Sequence, residues 1–178
     1  MKLSCLTALL LSLNALLFAD EAADKAAVAA RAKTMVEATL KGEGSEVLKF
    51  MPAGVVQAMG GEETLKKAIE RTMADMKKIG MEFVSLDVQP PESFHRGGGK
   101  TFAVVKTKSV MIVPGKARIT EESSMIAIQE QAGADWTFLR INEAIASNRE
   151  LLKRLLPDFP DDVKLDPPTR PQTVPAGK

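Results

Sequence analysis

The pattern of apolar and polar residues changes character about halfway along the chain. Residues 101–113 and 117–130 are rich in Val, Ile, Thr and Phe, Pro114-Gly115 lies between them, and Gly133 sets the second run apart from residues 136–141. Such runs between turn residues predict a three-stranded antiparallel meander. Residues 81–88 add an earlier strand, with Val84, Leu86 and Val88 on one side and Glu82 on the other, before Pro90-Pro91 interrupts pairing.

Ahead of the strands the spacing is helical. Residues 24–41 are Ala-rich, with Val28, Met35, Val36 and Leu40 among charged residues and Gly42 placed to end the helix. Ser45 is positioned to cap a short second helix that stops at Pro52, and residues 55–59 make a further apolar turn before Gly60-Gly61. Residues 62–79 give the clearest helix: Leu65, Ile69, Met73, Met76 and Ile79 share a face, Glu62 and Glu63 open it, and Lys77 and Lys78 close it before Gly80. After the meander, Ser147-Asn148-Arg149-Glu150 has capping-box spacing. The short helix it predicts carries Leu151, Leu152, Leu155 and Leu156, which must dock on the domain or on a second copy, since a helix this short is not stable alone. The fold class is therefore α+β: N-terminal helices packed on a curved antiparallel sheet, and a short C-terminal helix.

The two ends read differently. Lys2 followed by the apolar run 6–18 has the form of an export signal, too short to cross a bilayer, with cleavage expected after Ala19. Residues 1–19 are thus a signal peptide, 20–156 one domain, and the proline-rich stretch 157–178 a largely disordered tail. Removing the signal removes Cys5, the sole cysteine, so the mature chain in its periplasmic or secreted setting has neither disulfide nor thiolate chemistry. It also has no transmembrane segment.

Charge narrows the partners. The chain has 24 basic and 23 acidic residues, and loss of Lys2 leaves them level, which argues against nucleic acid or an anionic membrane surface. Around Gly97-Gly98-Gly99, Arg96 and Lys100 could cradle an anion, but the strand-to-helix context of a phosphate loop is missing and a hairpin loop is the better reading. His95 is the only histidine, so an imidazole metal site has no second ligand; no metal and no cofactor are expected.

The central hairpin allows a register to be stated. Pro114 fixes φ near roughly −65°, which excludes the mirror-image turns of tight hairpins and predicts a type I or II turn or a four-residue loop over Val113-Pro114-Gly115-Lys116. Ile112 then faces Ala117, Val110 faces Ile119, and Lys108 faces Glu121 as a cross-strand ion pair. That face is apolar at its ends and polar in the middle, as suits a bent sheet. Lys108, Glu121 and Trp136 are the candidate ligand-binding residues; no residue is assigned a catalytic role.

The order of helix, then Gly42-Glu43-Gly44-Ser45-Glu46-Val47-Leu48-Lys49-Phe50-Met51-Pro52, a further helix, and a meander ending in Trp136-Thr137-Phe138-Leu139-Arg140-Ile141 resembles the nuclear transport factor 2-like superfamily. The resemblance implies three helices closing one side of a bent sheet, a pocket at the mouth of the cone, and in many members dimerisation through the outer sheet face. The sequence shows four strands where the fuller cone has six. The superfamily includes isomerases, which set a carboxylate base against a donor, usually tyrosine, in an apolar pocket. This chain has no tyrosine. Its strand carboxylates, Asp87, Glu121, Glu122, Glu130 and Asp135, form no evident pair. The leading expectation is an exported, non-catalytic cone domain that binds a small apolar ligand or a protein partner of the cell envelope, with a homodimer allowed. The alternative is a small isomerase- or hydrolase-like enzyme using a pocket carboxylate.

Overall fold

The structure, a computed structural model, describes residues 4–115 and 117–175, with side chains described from residue 21 onward. Its elements run α1 (Ser4–Lys41), α2 (Gly44–Leu48), α3 (Ala53–Ala58), α4 (Glu62–Lys78), β1 (Glu82–Val88), β2 (Phe94–Gly97), β3 (Lys100–Val113), β4 (Ala117–Gln129), β5 (Thr137–Arg140), α5 (Glu143–Ser147), α6 (Arg149–Leu155) and β6 (Gln172–Pro175). The fold is α+β, with a curved, unclosed six-stranded antiparallel sheet.

Four strands lie in the order β1-β3-β4-β5, and two short ones share the edges: β2 pairs with the start of β3 and β6 with the start of β4. Both short strands are additional to the four expected. The glycine loop is indeed a hairpin, with Gly97 paired to Lys100 and only Gly98 and Gly99 between. Both have positive φ, 57° and 81°, as a two-residue mirror-image turn requires.

The central hairpin has a different register from the expected one. Val113 pairs with Ala117 and Lys108 with Glu122, not Glu121. The loop between the paired residues Val113 and Ala117 is one residue shorter than four, and Gly115 within it has a φ of 69°. A one-residue slip exchanges the faces of every side chain on one strand relative to the other. Lys108 and Glu121 therefore point to opposite faces, and the expected ion pair does not exist.

The helix ends also depart in detail from the expected caps. Gly42 closes α1 as expected: its amide donates to Thr39 and that of Glu43 to Ala38, the paired bonds of a Schellman end. Ser45, however, lies inside α2, whose first residue is Gly44. Ser147 ends α5, its hydroxyl donating to the Glu143 carbonyl at 2.6 Å, and the cap of α6 is Asn148, whose side chain accepts from the Leu151 amide at 2.9 Å. A second asparagine, Asn142, caps α5 in the same way from the Ile145 amide.

The core has two parts, one on each face of the sheet. Successive strand residues alternate sides. Ala103, Val105, Met125, Ala127 and Phe138 meet Val28, Ala32 and Met35 of α1. Phe102, Ile126, Ile128 and Leu139 face the other way and meet Leu152 and Leu156 of α6, with Phe159 and Val163 beyond it. The leucine stripe of the C-terminal helix is therefore docked. Residues 157–165, in the stretch expected to be a disordered tail, pack against this face. Among the prolines Phe159 is fully buried with its ring edge-on to Phe102, Arg149 lies over that ring and bonds to the Pro160 and Val163 carbonyls, and Lys153 bonds to the Phe159 carbonyl at 2.7 Å. The chain then follows the free edge of β4, where Thr169 exchanges hydrogen bonds with Glu122 before β6 pairs with residues 117–120.

The expected signal peptide, 1–19, lies outside the residues whose side chains are described; from Ser4 its backbone is the first part of α1. Among the described residues no helix is long and apolar enough to cross a membrane.

Candidate functional site

The helix α4 has an apolar face, and its main packing partner is α2 rather than the sheet. Only Leu65 on that face is buried, while Ile69, Met73 and Met76 are half-buried and Ile79 is exposed. Such a stripe would normally close on the sheet. Here it stands off and leaves a groove of about 950 Å³ between α4, the end of α1 and the sheet. Leu40, Leu65, Ile69, Met73 and Met76 line the helical side, and Met81, Phe83 and Met111 the other.

The strand register explains what this face of the sheet offers. Ala103, Val105, Thr107, Ser109 and Met111 of β3 lie in one row, and the paired row on β4 runs through Ala127, Met125, Ser123, Glu121 and Ile119. The apolar half of both rows is covered by α1. Further along is a polar belt, in which Thr107 and Ser123 share a 2.9 Å hydrogen bond and Ser109 is paired in register with Glu121. From β5, Arg140 reaches across to Glu121 with Nη2 at 2.7 Å from Oε1, and Arg140 also lines the groove. The Glu121 side chain is 15% exposed and that of Arg140 56% exposed.

The three sequence-derived candidates are not brought together. Glu121 belongs to the polar belt beside the groove. Lys108 lies on the opposite face, 3.4 Å from Glu122, and both are exposed. Trp136 is buried among Ala127, Phe138 and the α1 side chains; its ring is 5.7 Å from Phe94, its carbonyl accepts from Arg31, and its Nε1 has no hydrogen-bond partner. The other strand carboxylates serve structure: Glu130 pairs with Lys100 at 2.8 Å and Asp135 with Arg31 at 3.3 Å, while Asp87 opposes Lys108 on the outer face.

Sequence reasoning missed Arg140 and the groove itself. The signal for Arg140 was present, since it ends a strand whose alternation puts Trp136, Phe138 and Arg140 on one side. The groove had no comparable signal, because an apolar helix face reads the same whether it is packed or open.

His95 sits on the edge strand β2, and its Nε2 is 3.1 Å from the Ser93 hydroxyl. Among the described residues no group of three or more His, Asp or Glu side chains could hold a metal ion. In comparisons with known proteins, the chain matches no protein-family model and no curated protein sequence.

Proposed function

We propose that this chain is an exported, non-catalytic binding domain on the nuclear transport factor 2-like plan, and that its groove holds a small apolar ligand. The observation that carries this reading is the open groove of about 950 Å³, which lies within the size range of small-molecule sites and is walled mainly by apolar side chains with a few polar groups. Leaving Ile69, Met73 and Met76 uncovered forgoes roughly 25 cal/mol for each Å² that closure would bury. A ligand recovers that area. A protein partner of the cell envelope is the other occupant the sequence allows.

The enzyme alternative would need Glu121, the one carboxylate that the sheet's described residues present on this face. Its contact with Arg140 favours a structural or orienting role over a free base, and no tyrosine stands opposite as donor.

Native mass spectrometry of protein purified from its own host should show a retained small molecule. Titration with an apolar fluorescent probe should saturate at one site and be lost in Met76→Glu. A wild-type protein that carries nothing and binds no probe would overturn the reading.

A further inference from the structure

The groove's polar groups carry information about its ligand. Besides the apolar walls, its lining includes Thr39, Thr72, Lys41, Lys77, Arg140 and Glu82. Both threonine hydroxyls are spent on their own helices, Thr39 donating to the Met35 carbonyl and Thr72 to that of Ala68, each at 2.9 Å. Glu82 is paired with Ile112, in the row next to that of Phe83 and Met111, so strand alternation directs its carboxylate to the other face of the sheet. What remains is cationic. Among the described residues neither Lys41 nor Lys77 makes an ion pair, and Arg140 uses one amino group on Glu121 and keeps further N–H donors free.

A ligand without charge would desolvate the edge of these cations and give nothing back, and a cationic one would be repelled. An anionic head meets a lining of complementary sign. The head also has a preferred end. The concavity on the far side of Gly42 and Met73 is lined by Glu43, Glu46 and Glu70, which would turn an anion away from the Glu70 end of α4 and toward Lys77, two turns further on.

The apolar body is constrained by the wall that receives it. Four of the lining residues, Met73, Met76, Met81 and Met111, are methionines, and Phe83 is the one aromatic ring. Unbranched, polarizable methionine side chains adapt to irregular and mobile partners, whereas a rigid polycyclic ligand is better met by fixed aromatic and branched surfaces. From these walls and the three cations, and resting on the binding function proposed above, we infer that the groove takes a single-chain amphiphile with a carboxylate head, of the fatty-acid type.

The test compares three twelve-carbon probes below their micelle concentrations on the full chain: laurate, dodecanol and dodecyltrimethylammonium, each displacing the same fluorescent reporter. Laurate should bind at least tenfold tighter than either of the others at low salt, and its advantage should shrink as salt rises. Within a series of carboxylates, affinity should rise about fourfold per added methylene, the factor that about 0.8 kcal/mol per buried CH₂ corresponds to. The double variant Lys41→Glu, Lys77→Glu should reverse the order of laurate and dodecyltrimethylammonium while leaving dodecanol unchanged, which also shows that the groove is intact. Equal binding of laurate and dodecanol would overturn the carboxylate inference and leave the apolar-ligand function standing. Binding of none of the three would overturn both. Sedimentation with phosphatidylglycerol vesicles without laurate binding would assign the cations to a membrane surface and likewise overturn the inference.

Discussion

At the scale of single residues, the C-terminal side of the molecule depends on a few side chains. Leu152 is 1% exposed and belongs to the apolar cluster on the outer face, whereas Leu155 is only half-buried. Leu152→Ala should therefore cost about 2–4 kcal/mol, and Leu155→Ala clearly less, as read from chemical denaturation midpoints at unchanged slope. Asp161 supplies a pH dependence. Its carboxyl is held below its ordinary value, first by the hydrogen bond from Lys153 and then by that lysine's charge, with Arg149 adding to the effect. A carboxylate whose pKa is lowered on folding contributes stability above its unfolded pKa and loses that contribution as pH falls through the folded one. Protection of the 157–165 amides from exchange should hold at neutral pH and decline below roughly pH 4, the ordinary carboxylate range. In Asp161→Asn the decline should be smaller. The contribution is small because the side chain is 80% exposed.

At the scale of elements, β6 is held differently from the other strands. All four of its residues are exposed, Val174 at 60%, so main-chain bonds to residues 117–120 and the Thr169 anchor hold it rather than side-chain burial. What it does is cover the edge of β4, which would otherwise offer unpaired N–H and C=O groups to another chain. Deleting residues 167–178 should leave the helical content unchanged and bring concentration-dependent association, measurable by light scattering. A truncated chain that stays monomeric at high concentration would contradict this role. The same strand shows why part of the fold could not be read from sequence. Its proline flanks and lack of burial give no apolar period, and β2 is four residues long beside three glycines. The long periodic elements α4, β3 and β4 were legible because each repeats its pattern over several turns or pleats. The register was not, since it depends on whether three or four residues separate the paired ends, and Pro114-Gly115 suits either loop. Of the candidate site, Glu121 was legible as a polar break in an apolar row, but its partner Arg140 lies on another strand and depends on that register.

At the scale of the whole molecule, the sheet is covered on both faces, by α1 on one side and by α6 with residues 157–165 on the other. The outer face through which the resemblance implied dimerisation is thus occupied over its apolar half, and the remainder carries Lys106, Lys108, Arg118 and Glu122. A homodimer through this face without moving α6 would have only that charged remainder to use. The uneven placement of aromatic residues has an optical consequence. Trp136 is the only tryptophan, tyrosine is absent, and the indole is buried against Phe94 in the layer beneath α1. Ultraviolet emission therefore comes from one chromophore on one side of the sheet, and the opposite layer is dark. If the two layers melt as a unit, the red shift of that emission and the loss of backbone ellipticity should coincide at every denaturant concentration. If the layer built on Phe159 opens first, ellipticity should fall while the emission stays blue, and the molecule would report from its own spectrum which side gives way.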